Sequence, residues 1–263
     1  FYYYFSLICL LNNVLFYIIQ RLYLDMLSLN FYYKINYLIK REANFDVFLN
    51  YILDRFKHPF VQSYKKKHRK SHQSYLKNKR TTTDYFSINA YYWDHIINKH
   101  FKEFSYLEVG SWEGNSAIYI LKNYKTKKVY CVDVWEKDKN YEELYTKNFK
   151  NFLLNMQEFM GRFSFFKDTS DNFFLKNKES FDIIYVDGTH EALQVERDIN
   201  NSWKFLNLNG IMICDDYFYG NLYTGLNDDV PATSINKFLK ENKNKLKILC
   251  VNNNQIFIKK TLN

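Results

Sequence analysis

Six acids stand where apolar runs of this sequence stop. Glu108 closes the run 106–109, Asp133 follows 128–132, Asp168 follows 163–166, Asp187 follows 182–186, and Asp215 and Asp216 follow 210–214. A carboxylate can accept hydrogen bonds, hold a cation or move a proton. One acid at the end of an apolar run is unremarkable, but the repetition at five ends does not suit a solvated edge. Glu108 leads into Gly110-Ser111-Trp112-Glu113-Gly114-Asn115-Ser116. A phosphate-cradling loop would end in Gly-Lys-Ser/Thr, and no lysine is present. A pyrophosphate-binding turn would read G-x-G-x-x-G, whereas this one reads G-x-x-x-G with carboxylates at 108 and 113. Two carboxylates repel a pyrophosphate and suit a ligand that carries a cation. Asp133, 23 residues after Gly110, has the spacing of an acid that accepts from a ribose diol, a feature shared with NAD sites.

Asp187, Asp215 and Asp216 make a second constellation, with Asp215 28 residues after Asp187. Three converging carboxylates would raise one another's pKa unless a cation joined them. Oxygen-only ligands suit magnesium, calcium or manganese rather than zinc. Against this, Asp216 can cap a turn and Asp187 can serve a loop alone. His190, three residues past Asp187, titrates near neutrality and is the candidate general base. A helix-terminal histidine bonded to Asp187 or Asp215 accounts for it equally well.

These groups need elements to hold them. Apolar strand-like runs at 106–109, 128–132, 163–166, 182–186 and 210–214 alternate with helix-length segments at 115–123, 141–159, 171–176 and 191–206. That alternation predicts βαβ units. Residues 235–241 read as a helix, and 246–260 as two strands around an Asn turn. The fold class is therefore α/β, a Rossmann-like, doubly wound, mostly parallel seven-stranded sheet with an antiparallel last strand and an N-terminal helical extension. Residues 1–26 form an apolar segment, either an anchor or a non-native extension, and Met26 offers an alternative start. Residues 27–80 form a helical, basic extension whose tract 64–80 reads as a solvated linker. Residues 81–263 form the main domain, and a piece starting near Lys77 is expected to fold alone.

Composition narrows the partners. Of the 263 residues, 47% are hydrophobic, enough for a packed core. The net charge of +9 is local: residues 20–80 hold 14 Lys/Arg against four Asp/Glu, and the rest hold 23 against 24. Whole-protein nucleic-acid binding is therefore not implied. Membrane contact through residues 1–19 or the tract 65–80 is the alternative use of that charge. Cys9, Cys131, Cys214 and Cys250 form no CxxC pair, which argues against a zinc knuckle and for a reducing, cytoplasmic setting, or a membrane-associated one if residues 1–19 are an anchor.

"YLEVGSWEGNSAIYIL", "VYCVDVW", "FFKDTSDNF", "FDIIYVDGTHEALQVERDINNSWKFLNLNGIMICDDY" and "VPATSINKFL" occur in order. Together they resemble class I S-adenosylmethionine-dependent methyltransferases, in the group whose fourth strand ends in D-G-x-H, over about residues 81–260. The resemblance implies transfer of a methyl group from S-adenosylmethionine to a small-molecule hydroxyl, such as that of a sugar. Glu108, Gly110, Ser111 and Gly114 would line the methionine and ribose side of the cofactor. Asp133 would hold the ribose, Asp168 and Ser170 would lie near the adenine, and Asp187 would touch cofactor and acceptor. Ser170 is equally readable as a helix N-cap. Similarity to metal-dependent O-methyltransferases would place magnesium or manganese on Asp187, Asp215 and Asp216, with His190 and Asp187 as catalytic residues. Tyr85, Phe86, Tyr91, Tyr92, Trp93, Trp135, Tyr217, Phe218, Tyr219 and Tyr223 would give an aromatic acceptor pocket. The rival functions are an S-adenosylmethionine-binding module without catalysis and an NAD-type dehydrogenase. The sequence does not fix the oligomeric state.

Overall fold

A computed structural model describes residues 28–135, 142–220, 228–252 and 254–262, without the side chains of 142–146. The apolar segment 1–26 and Tyr223 lie outside these residues. In chain order the elements are α1 (Leu29–Lys40), α2 (Phe45–Leu76), a 3-10 turn (Ser87–Asn89), α3 (Ala90–His100), β1 (Phe104–Val109), α4 (Asn115–Asn123), β2 (Thr126–Asp133), α5 (Glu142–Met156), a second 3-10 turn (Gln157–Phe159), β3 (Ser164–Lys167), α6 (Ser170–Lys176), β4 (Phe181–Val186), α7 (Ala192–Phe205), β5 (Leu206–Cys214), α8 (Pro231–Glu241), β6 (Leu246–Val251) and β7 (Ile256–Lys260).

The strands form one sheet in the order β3-β2-β1-β4-β5-β7-β6. The first five run parallel, and β7 enters antiparallel between β5 and β6. This is the doubly wound sheet that the alternating pattern predicts. Strand order reverses between β1 and β4, where crossovers leave to opposite sides and open a crevice at the carboxyl ends. Side chains alternate between the faces of a strand, so each strand feeds two cores. Leu107, Val109, Ile184, Val186, Met212 and Ile258 pack against α1, α6, α7, α8 and the start of α2. Tyr106, Cys131, Ile183, Tyr185, Ile213 and Phe257 pack on the other face, against α3, α4 and α5.

Two expectations change. The tract 64–80 is no linker, because α2 runs unbroken to Leu76 with Pro59 inside it. Its inward positions hold polar residues in place of apolar ones, which hid the helical period. Lys65 lies against Asp54 and the Tyr92 hydroxyl. His72 is buried between Phe86 and Tyr119, and desolvation lowers its pKa to about 4. The helical extension is also not separate from the main domain: Tyr37, Leu38, Val47 and Tyr51 belong to the sheet's own core, and α2 packs on the edge strand β6.

Candidate active site

At the carboxyl end of β1, Glu108 is completely buried. Its Oε2 accepts from the Tyr106 and Ser116 hydroxyls, each at 2.8 Å. Its Oε1 is buried and makes no hydrogen bond of ordinary geometry, with the Ser111 hydroxyl and Cys131 thiol as its polar neighbours. Burial outweighs the hydroxyl donors and pushes the carboxyl up to about 7. A lone buried carboxylate oxygen is costly until a donor reaches it, so the residue fits a cationic or hydrogen-bond-donating group from a ligand. Glu113, the other acid of the loop, is already engaged. It accepts from Asn151 Nδ2 at 2.7 Å and from the Thr82 backbone N–H at 2.6 Å, tying α5 and the segment before α3 to the turn.

The two loop glycines are required by packing. A Cβ on Gly110, at φ +91°, would sit 1.8 Å from the Asp187 carbonyl oxygen. One on Gly114, at φ +85°, would press on Met156 and Phe152 of α5 at 3.2 Å. Gly110 thus lets the β1 loop pass beside the end of β4. Asp133 closes the crevice on the other side. It accepts from the Trp112 backbone N–H at 2.8 Å and the Trp135 backbone N–H at 2.9 Å. Both tryptophans have positive φ, 47° and 38°, and the Trp135 indole N–H donates to the Trp112 carbonyl at 2.7 Å. One carboxylate therefore holds two strained residues on two loops, the kind of stored strain that collects at ligand-binding sites.

On the β4–β5 side the Tyr185 hydroxyl donates to Asp187 Oδ2 at 2.8 Å and also contacts Asp215 Oδ2. The two carboxylates are therefore within about 6 Å of each other. Gln255, at the start of β7, reaches Asp215 Oδ2 at 2.9 Å and is itself held by the Trp93 indole N–H at 2.9 Å. Burial and the neighbouring acids raise Asp187 well above the carboxylate range and Asp215 to about 6. Asp216, at φ 52°, turns away to His190, whose Nε2 is 2.6 Å from its Oδ2. The imidazole stacks on Tyr219 with centroids 4.1 Å apart, and the Asp216 hydrogen bond raises its pKa.

With that geometry in view, residues 107–217 match the family model described as a methyltransferase domain. Over those residues the chain is similar to a methyltransferase domain. An uncharacterized protein, R132, of Acanthamoeba polyphaga mimivirus is 26% identical over 142 residues, a match that spans 50% of this chain and only 60% of that relative. Among solved structures, the O-methyltransferase TomG of Streptomyces achromogenes, in complex with SAM, superposes with a TM-score of 0.52. It is 10% identical, and the match covers 76% of this chain and 89% of that one. Cofactor-bound Rv0187 from MTB also gives 0.52, at 11% identity over 81% of this chain and 98% of that one. At such identities the likeness is one of fold.

The fold brings Glu108, Gly110, Asp133 and Asp187 around the β1/β4 reversal, and Ser111 and Gly114 into the adjoining turn. Asp168 follows β3, where its backbone N–H donates to the Asp133 carbonyl at 3.1 Å. Its side chain accepts from Thr169 N–H and Asn172 at 2.8 Å, so it serves the start of α6. Ser170 is not the N-cap, because Thr169 caps α6. The Ser170 hydroxyl donates to Asp198 of α7, a carboxyl raised to about 6 by burial. Of the expected metal trio, Asp187 and Asp215 meet on the Tyr185 hydroxyl, while Asp216 pairs with His190. Among the described residues no group of three or more His, Cys, Asp or Glu is arranged to hold a metal ion. Most of the expected aromatic pocket is core: Phe86, Tyr92, Trp93, Trp135, Tyr217 and Phe218 are buried, while Tyr85 and Tyr219 are exposed. Tyr106, Tyr185 and Gln255 went unnoticed in the sequence. A signal existed for the first two, since Tyr-x-Glu in β1 and Tyr-x-Asp in β4 put hydroxyl and acid on one strand face.

Proposed function

We propose that this protein methylates a hydroxyl group of a small molecule, with S-adenosylmethionine as donor. The observation that carries the reading is the unpaired, buried Oε1 of Glu108, beside Asp133 at the β1/β4 reversal of a methyltransferase domain. A ligand with an ammonium group would complete Glu108, and one with vicinal hydroxyls could use the remaining lone pairs of Asp133. The cofactor supplies an electrophilic methyl group on a sulfonium centre. TomG and Rv0187, described with SAM or cofactor bound, support that choice of donor.

The chain's own contribution is positioning and proton removal. With Nε2–H donating to Asp216, Nδ1 of His190 is left to accept the acceptor's proton, and Tyr219 fixes the ring plane. Asp216 is then a positioning residue. A sugar hydroxyl remains the acceptor class suggested by the sequence resemblance, with Tyr219 and Tyr85 as the exposed rings available to stack on it. The rival is magnesium or manganese on Asp187 and Asp215, favoured by the convergence of both carboxylates on one hydroxyl. A non-catalytic binding module would bind cofactor and turn nothing over.

Isothermal titration with S-adenosylhomocysteine and, separately, NAD tests the donor. Binding of NAD alone overturns the reading. Methyl transfer from labelled S-adenosylmethionine to a panel of hydroxyl compounds, with and without chelator, tests the chemistry. Activity that survives chelation and dies in His190→Ala supports the histidine route, and the reverse pattern supports the metal.

A further inference from the structure

The outer face of α2 is turned away from the sheet and from the strand-end turns. Phe45, Leu49, Leu53, Phe56, Phe60 and Tyr64 recur every three or four residues and fall on one side of the helix. They are 41% to 76% exposed, while Val47, Tyr51, Asp54, His72 and Leu76 bury the opposite side. The stripe runs about 28 Å at the helical rise. Exposed Lys67 and Lys70 continue it on the same side, with exposed Lys66 and Arg69 flanking them. From residue 45 to 80 there are ten Lys/Arg and two acids, the exposed Asp46 beside Phe45 and the buried Asp54. Past Asp46 the surface of this helix therefore presents apolar side chains and positive charge without an exposed acid.

We infer that this face of α2 docks on an anionic lipid surface. The apolar stripe enters the headgroup–acyl boundary, and the cations beyond Tyr64 meet lipid phosphate and carboxylate, the two components that bind an amphipathic helix to a membrane plane. Charge decides against the other occupants. Pairing the stripe with a second copy would bring two strongly basic helices together. Nucleic acid would satisfy the cations but leave aliphatic Leu49 and Leu53 with nothing to bury against. No helix among the described residues is long and apolar enough to cross a membrane, so the contact is peripheral.

Co-sedimentation of the full chain with phosphatidylcholine vesicles, and with vesicles that also contain phosphatidylserine, tests the inference. The chain should sediment with the anionic vesicles only and be released by salt. The triple variant Leu53→Gln, Phe56→Gln, Phe60→Gln should cut the bound-to-free ratio roughly tenfold or more, as loss of three apolar contacts implies, with Tm and circular dichroism unchanged because all three positions are exposed. Lys67→Glu with Lys70→Glu should do likewise. Four results overturn the inference. One is indifference to both vesicles, and another is equal binding to neutral and anionic ones. The third is binding that survives both variants, which would assign attachment to residues 1–19. The last is a light-scattering dimer dissolved by the triple variant, or a nucleic-acid complex lost only in the lysine variant, in a chain that ignores vesicles.

Discussion

Glu108 shows how a single buried carboxyl lowers stability where nothing in the fold fully pairs it. Its pKa rises from 4.5 to about 7 because burial penalises the charged form. A raised carboxyl favours the folded state fully below the unfolded value, and that contribution is lost as pH climbs through about 7. The shift corresponds to about 3 kcal/mol. Glu108→Gln should therefore raise the melting temperature of the ligand-free protein at about pH 8, with little effect near pH 4. The same change should weaken S-adenosylhomocysteine binding by about 1.5–3 kcal/mol. Calorimetric melts across this range, paired with titrations, check both halves, and a variant that melts lower at every pH would refute the account. His190 is shifted the same way for the opposite reason, since its hydrogen bond to Asp216 favours the charged imidazole. As the proposed base it would work when neutral, so kcat/KM should rise with pH through an inflection above 6.5. Asp216→Asn should move that inflection down and cut turnover by about a hundredfold, leaving cofactor affinity intact. An unmoved inflection would remove His190 from the proton path.

The strand-end turns are set by backbone as much as by ligand. Gly110 is glycine because β1 and β4 are neighbours and the loop crosses against the Asp187 carbonyl. Gly110→Ala should therefore destabilise the fold itself by about 3 kcal/mol or more, combining a forbidden φ with a backbone clash. Urea melts of the ligand-free chain would show the loss before any binding assay, and a variant of unchanged stability that merely bound cofactor poorly would contradict this. The sequence reports such elements unevenly. Apolar runs closed by acids located β1, β2, β4 and β5 to within a few residues, because buried parallel strands are almost continuously hydrophobic. The Glu108 and Asp133 positions followed directly, since a strand's end is where its apolar run stops. The second half of α2 did not, because its inward positions are Lys65 and His72, which no apolar periodicity detects. Nor did the tie from Gln255 to Asp215, which joins β7 to β5 across 40 residues and needs the antiparallel insertion of β7 to exist. The direction of Asp216 depended on a left-handed backbone at a non-glycine residue, which sequence spacing does not reveal.

At the scale of the whole chain, the sheet and its strand-end turns either stand without α1 and α2 or depend on them. The βαβ pattern begins after Arg80, which would make those helices an appendage. The packing says otherwise. Leu38 and Val47 are completely buried, and Tyr37 and Tyr51 nearly so, in the core that also holds Val109, Val186 and Met212. The Tyr37 hydroxyl donates to the Tyr219 carbonyl at 2.9 Å, next to the ring stacked on His190, and Asn236 Nδ2 donates to the Arg41 carbonyl at 2.9 Å. Asp54 takes the Tyr92 hydroxyl at 3.0 Å, locking α2 to α3. Removing four buried side chains worth about 1.5–3 kcal/mol each would consume most or all of a net stability of about 5–15 kcal/mol. A chain starting at Lys77 should therefore lose its cooperative melt, and what remains soluble should not bind S-adenosylhomocysteine. The paired variant Leu38→Ala, Val47→Ala gives a milder version in the full chain. It should cost several kcal/mol in urea melts, with cofactor affinity close to the parent's wherever the chain stays folded. If the truncated chain instead melts cooperatively near the parent's Tm and binds the cofactor, α1 and α2 are a removable layer. The Tyr37 contact behind Tyr219 would then have no part in holding the site.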